Sequence, residues 1–194
     1  MGMPLQQPIY YTAEMVRALN REERGTLRYE TVHGELLVRN APSVVHQRVV
    51  LELAHRLKLY LARERVGEVF ISPADISWQL VDVSVQPDVF VIPPDASSAA
   101  TRAGWDGVMH LPLAAEVLSP STARHDRFTK RLLYQERRVP LYWIVDPQER
   151  VAEIWTPADT FPRVERERLV WHADGAAQPF VATLDELLGD AGSA

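Results

Sequence analysis

A chain of 194 residues, 46% hydrophobic and 24% charged, can bury a full core without staples and has the composition of a globular protein. The absence of cysteine excludes disulfides, thiolate zinc centres and cysteine nucleophiles. The formal net charge of −5 argues against a simple basic nucleic-acid coat, but not against a metal-dependent enzyme, since carboxylates committed to a cation still count as negative in that sum.

In chain order, Met1–Gln7 lacks the basic and apolar regions of a signal peptide. No apolar run approaches the ~20 residues of a membrane helix. A cytoplasmic protein of one domain, with its core over residues 25–190, is expected, with no membrane partner. Thr12–Asn20 reads as a short helix capped by Thr12, with Met15, Val16 and Leu19 as its apolar stripe. Leu27–Val38 reads as two strands joined by a tight turn at His33-Gly34. Ser43–Arg65 is the longest periodic segment; Val45, Val49, Leu53, Leu57 and Leu61 form one stripe of a long amphipathic helix ending near Gly67.

Three β-rich runs follow, at Glu68–Ser72, Ile76–Val81 and Val85–Ile92, before Pro93-Pro94 stops the last. Asp95–His110 reads as a loop holding a helical turn. Leu113–Leu118 is a brief apolar strand, and Ser119–Thr122 starts a basic helix over Ala123–Arg138. Leu141–Val145 is a buried-type strand, Val151–Trp155 follows at hairpin distance, Arg168–Trp171 is a further strand, and Thr183 caps a terminal helix to Leu188. The order predicts a mixed sheet flanked by helices, in the α/β or α+β class. The tryptophans, Trp143 among them, read as core.

Two acidic residues stand where apolar strands should have none: Asp88 in VQPDVFVI and Glu116 in LAAEVL. Burying an ionised side chain without a partner costs several kcal/mol, so a shared cation is an economical explanation. Lys130 lies on the helix that follows Glu116, which brings it back over the end of that strand. Hard carboxylate oxygens suit Mg²⁺. Each residue also has a plainer account: Asp88 as a loop cap, Glu116 in a structural salt bridge, Lys130 on a solvated face.

The segments VQPDVFVI, AAEVLSPSTARHDRFTKRLLY and VPLYWIVDP, with YETVHGELL and PSVVHQRVVLEL upstream, resemble the Uma-type family of candidate restriction endonucleases, once catalogued only as a domain of unknown function. The resemblance runs from about Tyr29 to Asp146. It implies the PD-(D/E)XK nuclease superfamily, a restriction-endonuclease-like sheet flanked by helices, and roles for Asp88 as the PD aspartate and Glu116 as the second acidic residue. A regular E-x-K would put lysine at the position of Leu118. The resembled family is taken to carry its lysine on the following helix, where Lys130 stands. His33 replaces the family's usual aspartate before Gly-Glu, while Glu35 matches.

Other candidates are weighed beside these. Glu35 is either a third acidic ligand or an exposed strand residue, and Glu52 competes for the same role from the polar edge of the long helix. His46 and Gln47 either line the pocket or pack the helix start. Asp126 and Tyr134 share the face of Lys130 at i±4 spacing, with Asp126 read as a pairing partner rather than a ligand. Arg124, His125, Arg127, Arg131, Arg137 and Arg138 make that helix basic, as a solvated face or as a phosphate track.

The functional expectation is hydrolysis of DNA phosphodiesters by Mg²⁺ (or Mn²⁺) held by Asp88, Glu116 and the backbone carbonyl of Val117, with Lys130 orienting the nucleophile. A homodimer follows by analogy with restriction-like nucleases. Its rivals are a catalytically silent module that binds DNA or protein, and a hydrolase of RNA or a nucleotide.

Overall fold

Thr12 opens the first helix, α1 (Ala13–Glu22), by accepting a hydrogen bond from the Met15 amide at 3.2 Å. The computed structural model describes residues 10–23, 25–96 and 104–189. Met1–Gln7, the middle of the Asp95–His110 loop and the expected core limit at residue 190 lie outside them. α1 buries Ala13 and Val16 but leaves Met15 exposed, so its inward stripe is narrower than the spacing suggested. The hairpin β1 (Arg28–Val32) and β2 (Glu35–Arg39) pairs Val32 with Glu35, and both turn residues are left-handed, His33 at φ 50° and Gly34 at φ 81°. That two-residue geometry matches the twist of the flanking strands.

Helix α2 (Val44–Glu64) begins at Ser43, whose hydroxyl accepts from the His46 amide at 3.2 Å. It ends earlier than expected, because Arg65 itself takes the left-handed capping conformation at φ 60° before Gly67 is reached. Val49, Leu53, Leu57 and Leu61 are buried as expected. Val45 is exposed, because in the first turn His46 occupies the inward position instead.

The central sheet has six strands in the order β3 (Glu68–Ile71), β4 (Val89–Ile92), β5 (Leu113–Val117), β6 (Tyr142–Asp146), β7 (Val151–Trp155) and β8 (Arg163–Glu165). All neighbours are antiparallel except β5 and β6. A parallel pair needs a long crossover, and here a π-helix (His125–Lys130) running into α3 (Arg131–Glu136) supplies it. The expected basic α-helix over Ala123–Arg138 is thus wider in its first half, which turns both Asp126 and Lys130 inward. Gly104–Gly107 forms the helical turn expected in the preceding loop.

Ile76–Val81 is not a strand, and β4 starts at Val89 rather than Val85. Pro87 has no amide hydrogen to donate to a ladder. The chain before it bridges elsewhere, Ser84 to Thr31 of the hairpin and Val85 to Ile76. β9 (Arg168–Trp171) leaves the main sheet to pair with β10 (Phe180–Thr183), a strand without a sequence signal, as was β8. Thr183 then caps α4 (Leu184–Leu188) in a reciprocal box with Glu186.

Alternation along the strands divides the core in two. Val89, Val91, Leu113, Ala115, Val117, Trp143 and Val145 face α2, β9–β10 and α4. Phe90, Ile92, Ala114, Tyr142 and Ile144 face the hairpin, the Ala74–Val85 segment and α3. Trp78, Trp143, Trp155 and Trp171 are buried, and Trp105 packs edge-on against Phe70 and Phe90. Among the described residues no helix is long and apolar enough to cross a membrane.

Candidate functional site

Asp88 immediately precedes β4, and Val89 is registered opposite Ala115 of β5. One step further along this antiparallel pair sets Asp88 across from Glu116, and opposed residues of such a pair project to the same face. Both join the face covered by the hairpin and the π-helix. Asp88 is 4% exposed and Glu116 fully buried, so each must be met by partners.

Asp88 Oδ2 accepts from the Val117 amide at 2.8 Å and lies 3.0 Å from His46 Nε2. Its Oδ1 accepts from Arg39 Nη2 at 3.0 Å. Glu116 Oε1 lies 2.5 Å from Lys130 Nζ and accepts from the Tyr134 hydroxyl at 3.2 Å. Its Oε2 faces Arg39 Nη1 at 3.5 Å. One guanidinium therefore touches both acids. Lys130, the last residue of the π-helix, is fully buried and also pairs with Glu30 Oε1 at 3.0 Å, with Asp126 Oδ1 further off at 3.8 Å.

The structure thus assembles Asp88, Glu116, Lys130, His46, Asp126 and Tyr134 in one buried cluster, with Asp126 a distant pairing partner. Gln47 lines the adjoining cleft. Glu35 does not belong: it is exposed and lies beside Arg124, His125 and Phe128. It shares a hairpin face with Arg39, yet four residues of extended chain, ~13 Å, separate them. Glu52 pairs with Arg56 at 2.6 Å on the polar edge of α2. The basic helix spends part of its charge internally, through Arg127 on Asp146 and Glu153 and Arg131 over the Trp155 ring.

Glu30 and Arg39 are members that the sequence did not single out. Glu30 had a signal: on β1 it has the parity of the buried Val32 and is paired with the buried Leu37. Arg39 had none, since a charged residue ending a strand is ordinarily solvated.

Four buried carboxylates, Glu30, Asp88, Glu116 and Asp126, face two permanent cations, Arg39 and Lys130. Burial alone would push Asp88 up, but Arg39, His46 and Lys130 outweigh it and hold its carboxyl well below the usual range. Burial, opposed by Lys130 and reinforced by Asp88 and Asp126, pushes Glu116 well up. Asp126 rises for the same leading reason. Desolvation works against a charged Lys130, yet Glu116 and Glu30 raise it and keep it an ammonium. Burial and Glu116 raise Tyr134, whose hydroxyl therefore stays a donor.

The donor set suits a hard divalent cation: carboxylates from two adjacent strands, an excess of negative charge, and a buried Glu30 Oε2 that accepts no hydrogen bond. In an extended strand the N–H and C=O of a residue point to the same edge, so the Val117 carbonyl shares the Asp88 side with its amide. The position between Asp88 and Glu116 is held by Arg39. Among the described residues no three His, Asp or Glu side chains already converge as a metal site.

Among curated proteins nothing matches the chain. A crystal structure from Anabaena variabilis ATCC 29413, titled as that of "a putative nuclease belonging to DUF820", superposes with a TM-score of 0.71 at 17% identity, covering 92% of this chain and 97% of its own. At that identity the likeness establishes the fold. A family model, Uma2, described as "Putative restriction endonuclease", matches residues 13–176. With its acidic strands, helix-borne lysine and restriction-endonuclease-like sheet, the chain belongs to the Uma2 family.

Proposed function

We propose that this chain hydrolyses DNA phosphodiesters with Mg²⁺, for which Mn²⁺ can substitute, held by Asp88, Glu116 and the Val117 carbonyl. The observation that carries this is the meeting of Asp88 and Glu116, from neighbouring strands, on a single cationic group at 3.0 and 3.5 Å. When bound, the ion would supply Lewis-acid polarisation of a phosphate oxygen and acidify an attacking water.

The chain's own residues do the rest. His46 and the Val117 amide fix the orientation of Asp88. Tyr134 and Lys130 fix Glu116. Lys130, kept protonated, acts as a hydrogen-bond donor and positive charge beside the reacting group rather than as a base. Arg28 and Arg39 line the cleft that opens onto Asp88, where a guanidinium fork can grip a phosphate.

The test is cleavage of plasmid and single-stranded DNA, RNA and nucleotides by purified protein with Mg²⁺, Mn²⁺ or chelator, beside Asp88→Asn and Lys130→Met. Metal-dependent cleavage of DNA that both variants lose is expected. Equal activity in all three proteins overturns the assignment. Cleavage of RNA alone would reassign the substrate. A silent DNA- or protein-binding module is the second reading, favoured by the seat of Arg39 between the two acids, and it predicts binding without turnover. We also propose that the chain acts in the cytoplasm, folds as one domain and works as a homodimer, which sedimentation would show.

A further inference from the structure

The two cations of the cluster differ in one respect. Lys130 is sealed, with no exposed side-chain surface, whereas Arg39 keeps 13% of its side chain exposed. Arg39 lines a cleft of 280 Å³ together with Arg28, Gln47, His46 and Asp88. It ends β2, and its guanidinium lies 3.0 Å from Asp88 Oδ1, 3.5 Å from Glu116 Oε2 and 3.7 Å from Glu30 Oε2. It also donates to the Gln86 carbonyl at 3.2 Å. A purely structural counter-ion would gain from full enclosure, as Lys130 does. Arg39 instead has an exit.

We infer that Arg39 is a displaceable counter-ion of the acidic pair: its guanidinium must swing from Asp88 and Glu116 into the cleft before a divalent ion can take their oxygens, and a phosphodiester entering the cleft is the anion that draws it out. This rests on the metal-site reading given above. With Arg39 withdrawn, the carboxylates face Lys130 alone, and a divalent cation restores the missing charge. An anion that binds the outward guanidinium stabilises the same conformation that the metal requires. Substrate and metal then bind cooperatively, because each shifts one shared equilibrium. The arrangement leaves the protein weakly loaded with metal until a nucleic-acid backbone is present.

The experiment is a Mn²⁺ titration, by calorimetry and by loss of the free-ion paramagnetic signal, of the full chain and its Arg39→Gln, Arg39→Lys and Asp88→Asn variants. Each is run alone and with a hydrolysis-resistant phosphorothioate oligonucleotide. Arg39→Gln should bind Mn²⁺ about ten-fold tighter than the parent, within the usual range of coupling between sites. The oligonucleotide should tighten Mn²⁺ binding to the parent several-fold but leave Arg39→Gln unchanged. Arg39→Lys, with a compact charge that cannot span both acids, should fall between them and carries the comparison if the Gln variant does not fold. Asp88→Asn should lose Mn²⁺ binding.

Arg39 variants that bind Mn²⁺ no tighter than the parent, while Asp88→Asn abolishes binding, would overturn the inference and leave the metal site standing. Failure of the parent and both Arg39 variants to bind Mn²⁺ at all would remove both.

Discussion

Replacing Asp88 by asparagine keeps the shape of the side chain and removes its charge, so it isolates what the carboxylate does. Three donors converge on Asp88: Arg39 on Oδ1, and the Val117 amide and His46 on Oδ2. An asparagine has one acceptor end. Its better orientation keeps the oxygen toward Val117 and His46 and turns its NH₂ against the Arg39 guanidinium. Breaking a buried ion pair from one side costs about 3–5 kcal/mol. Arg39 keeps Glu116, Glu30 and the Gln86 carbonyl, which argues for the lower part of that range, about 2–3 kcal/mol. For a chain of this size each kcal/mol moves the melting temperature by about 2–4 °C, so Asp88→Asn should melt roughly 4–12 °C below the parent at pH 7.

The pH dependence has a definite sign. Asp88 is depressed in the folded protein, so its contribution is present above the unfolded carboxyl pKa, about 3.9, and is lost as the pH falls further. The gap between variant and parent should therefore narrow on acidification below about pH 4. Thermal unfolding by circular dichroism at pH 7 and pH 3 reads both effects. A variant as stable as the parent at pH 7, or a gap that widens in acid, would refute the argument.

Lys130→Met should destabilise by about 3–5 kcal/mol in urea unfolding, since Glu116 and Glu30 lose a fully buried ammonium; pairing it with Glu116→Gln should recover part of that loss. Because Lys130 is raised, its contribution is complete at neutral pH and disappears only as the solution becomes strongly alkaline. Glu35→Gln, at an exposed position outside the cluster, should leave melting within about 1 °C and cleavage unchanged, and a lost activity would return it to the site. Thr183→Ala should cost about 1 kcal/mol in chemical unfolding through loss of the α4 cap. Glu186, held below its usual range by Thr183, supports that cap at neutral pH and stops doing so as acid protonates it, which a Glu186→Gln variant followed across pH 3–6 would show.

The candidate site was legible wherever a charge interrupted an apolar strand. Asp88 and Glu116 stood out because nothing but a partner could tolerate them there, and Tyr134 came with Lys130 by helical spacing. Glu30 was hidden by its strand: RYETV mixes polar and apolar residues, and only the pairing with Leu37 shows which parity faces inward. Arg39 could not be read from the chain, because its role depends on tertiary neighbours from β4 and β5. The long helix was visible through its periodicity, but its first turn was not, since burial of His46 reflects a contact with Asp88 rather than any local preference. Strands failed where their hydrogen bonds went to unexpected partners, as at Ile76–Val81 and at β10. Local propensity does not encode such pairings.

The wide turns of the π-helix have a consequence for how this stretch can change. They adjust the rotational phase between the end of β5 and everything after Lys130, so that Lys130, Leu133 and Tyr134 all arrive on the inner side. Deleting one residue from 125–129 would shift that phase by about 100°, one residue's rotation in an α-helix, and swing the lysine out of reach of its acids. Swapping the outward Phe128 for another side chain would shift nothing. What the segment has to conserve is its length.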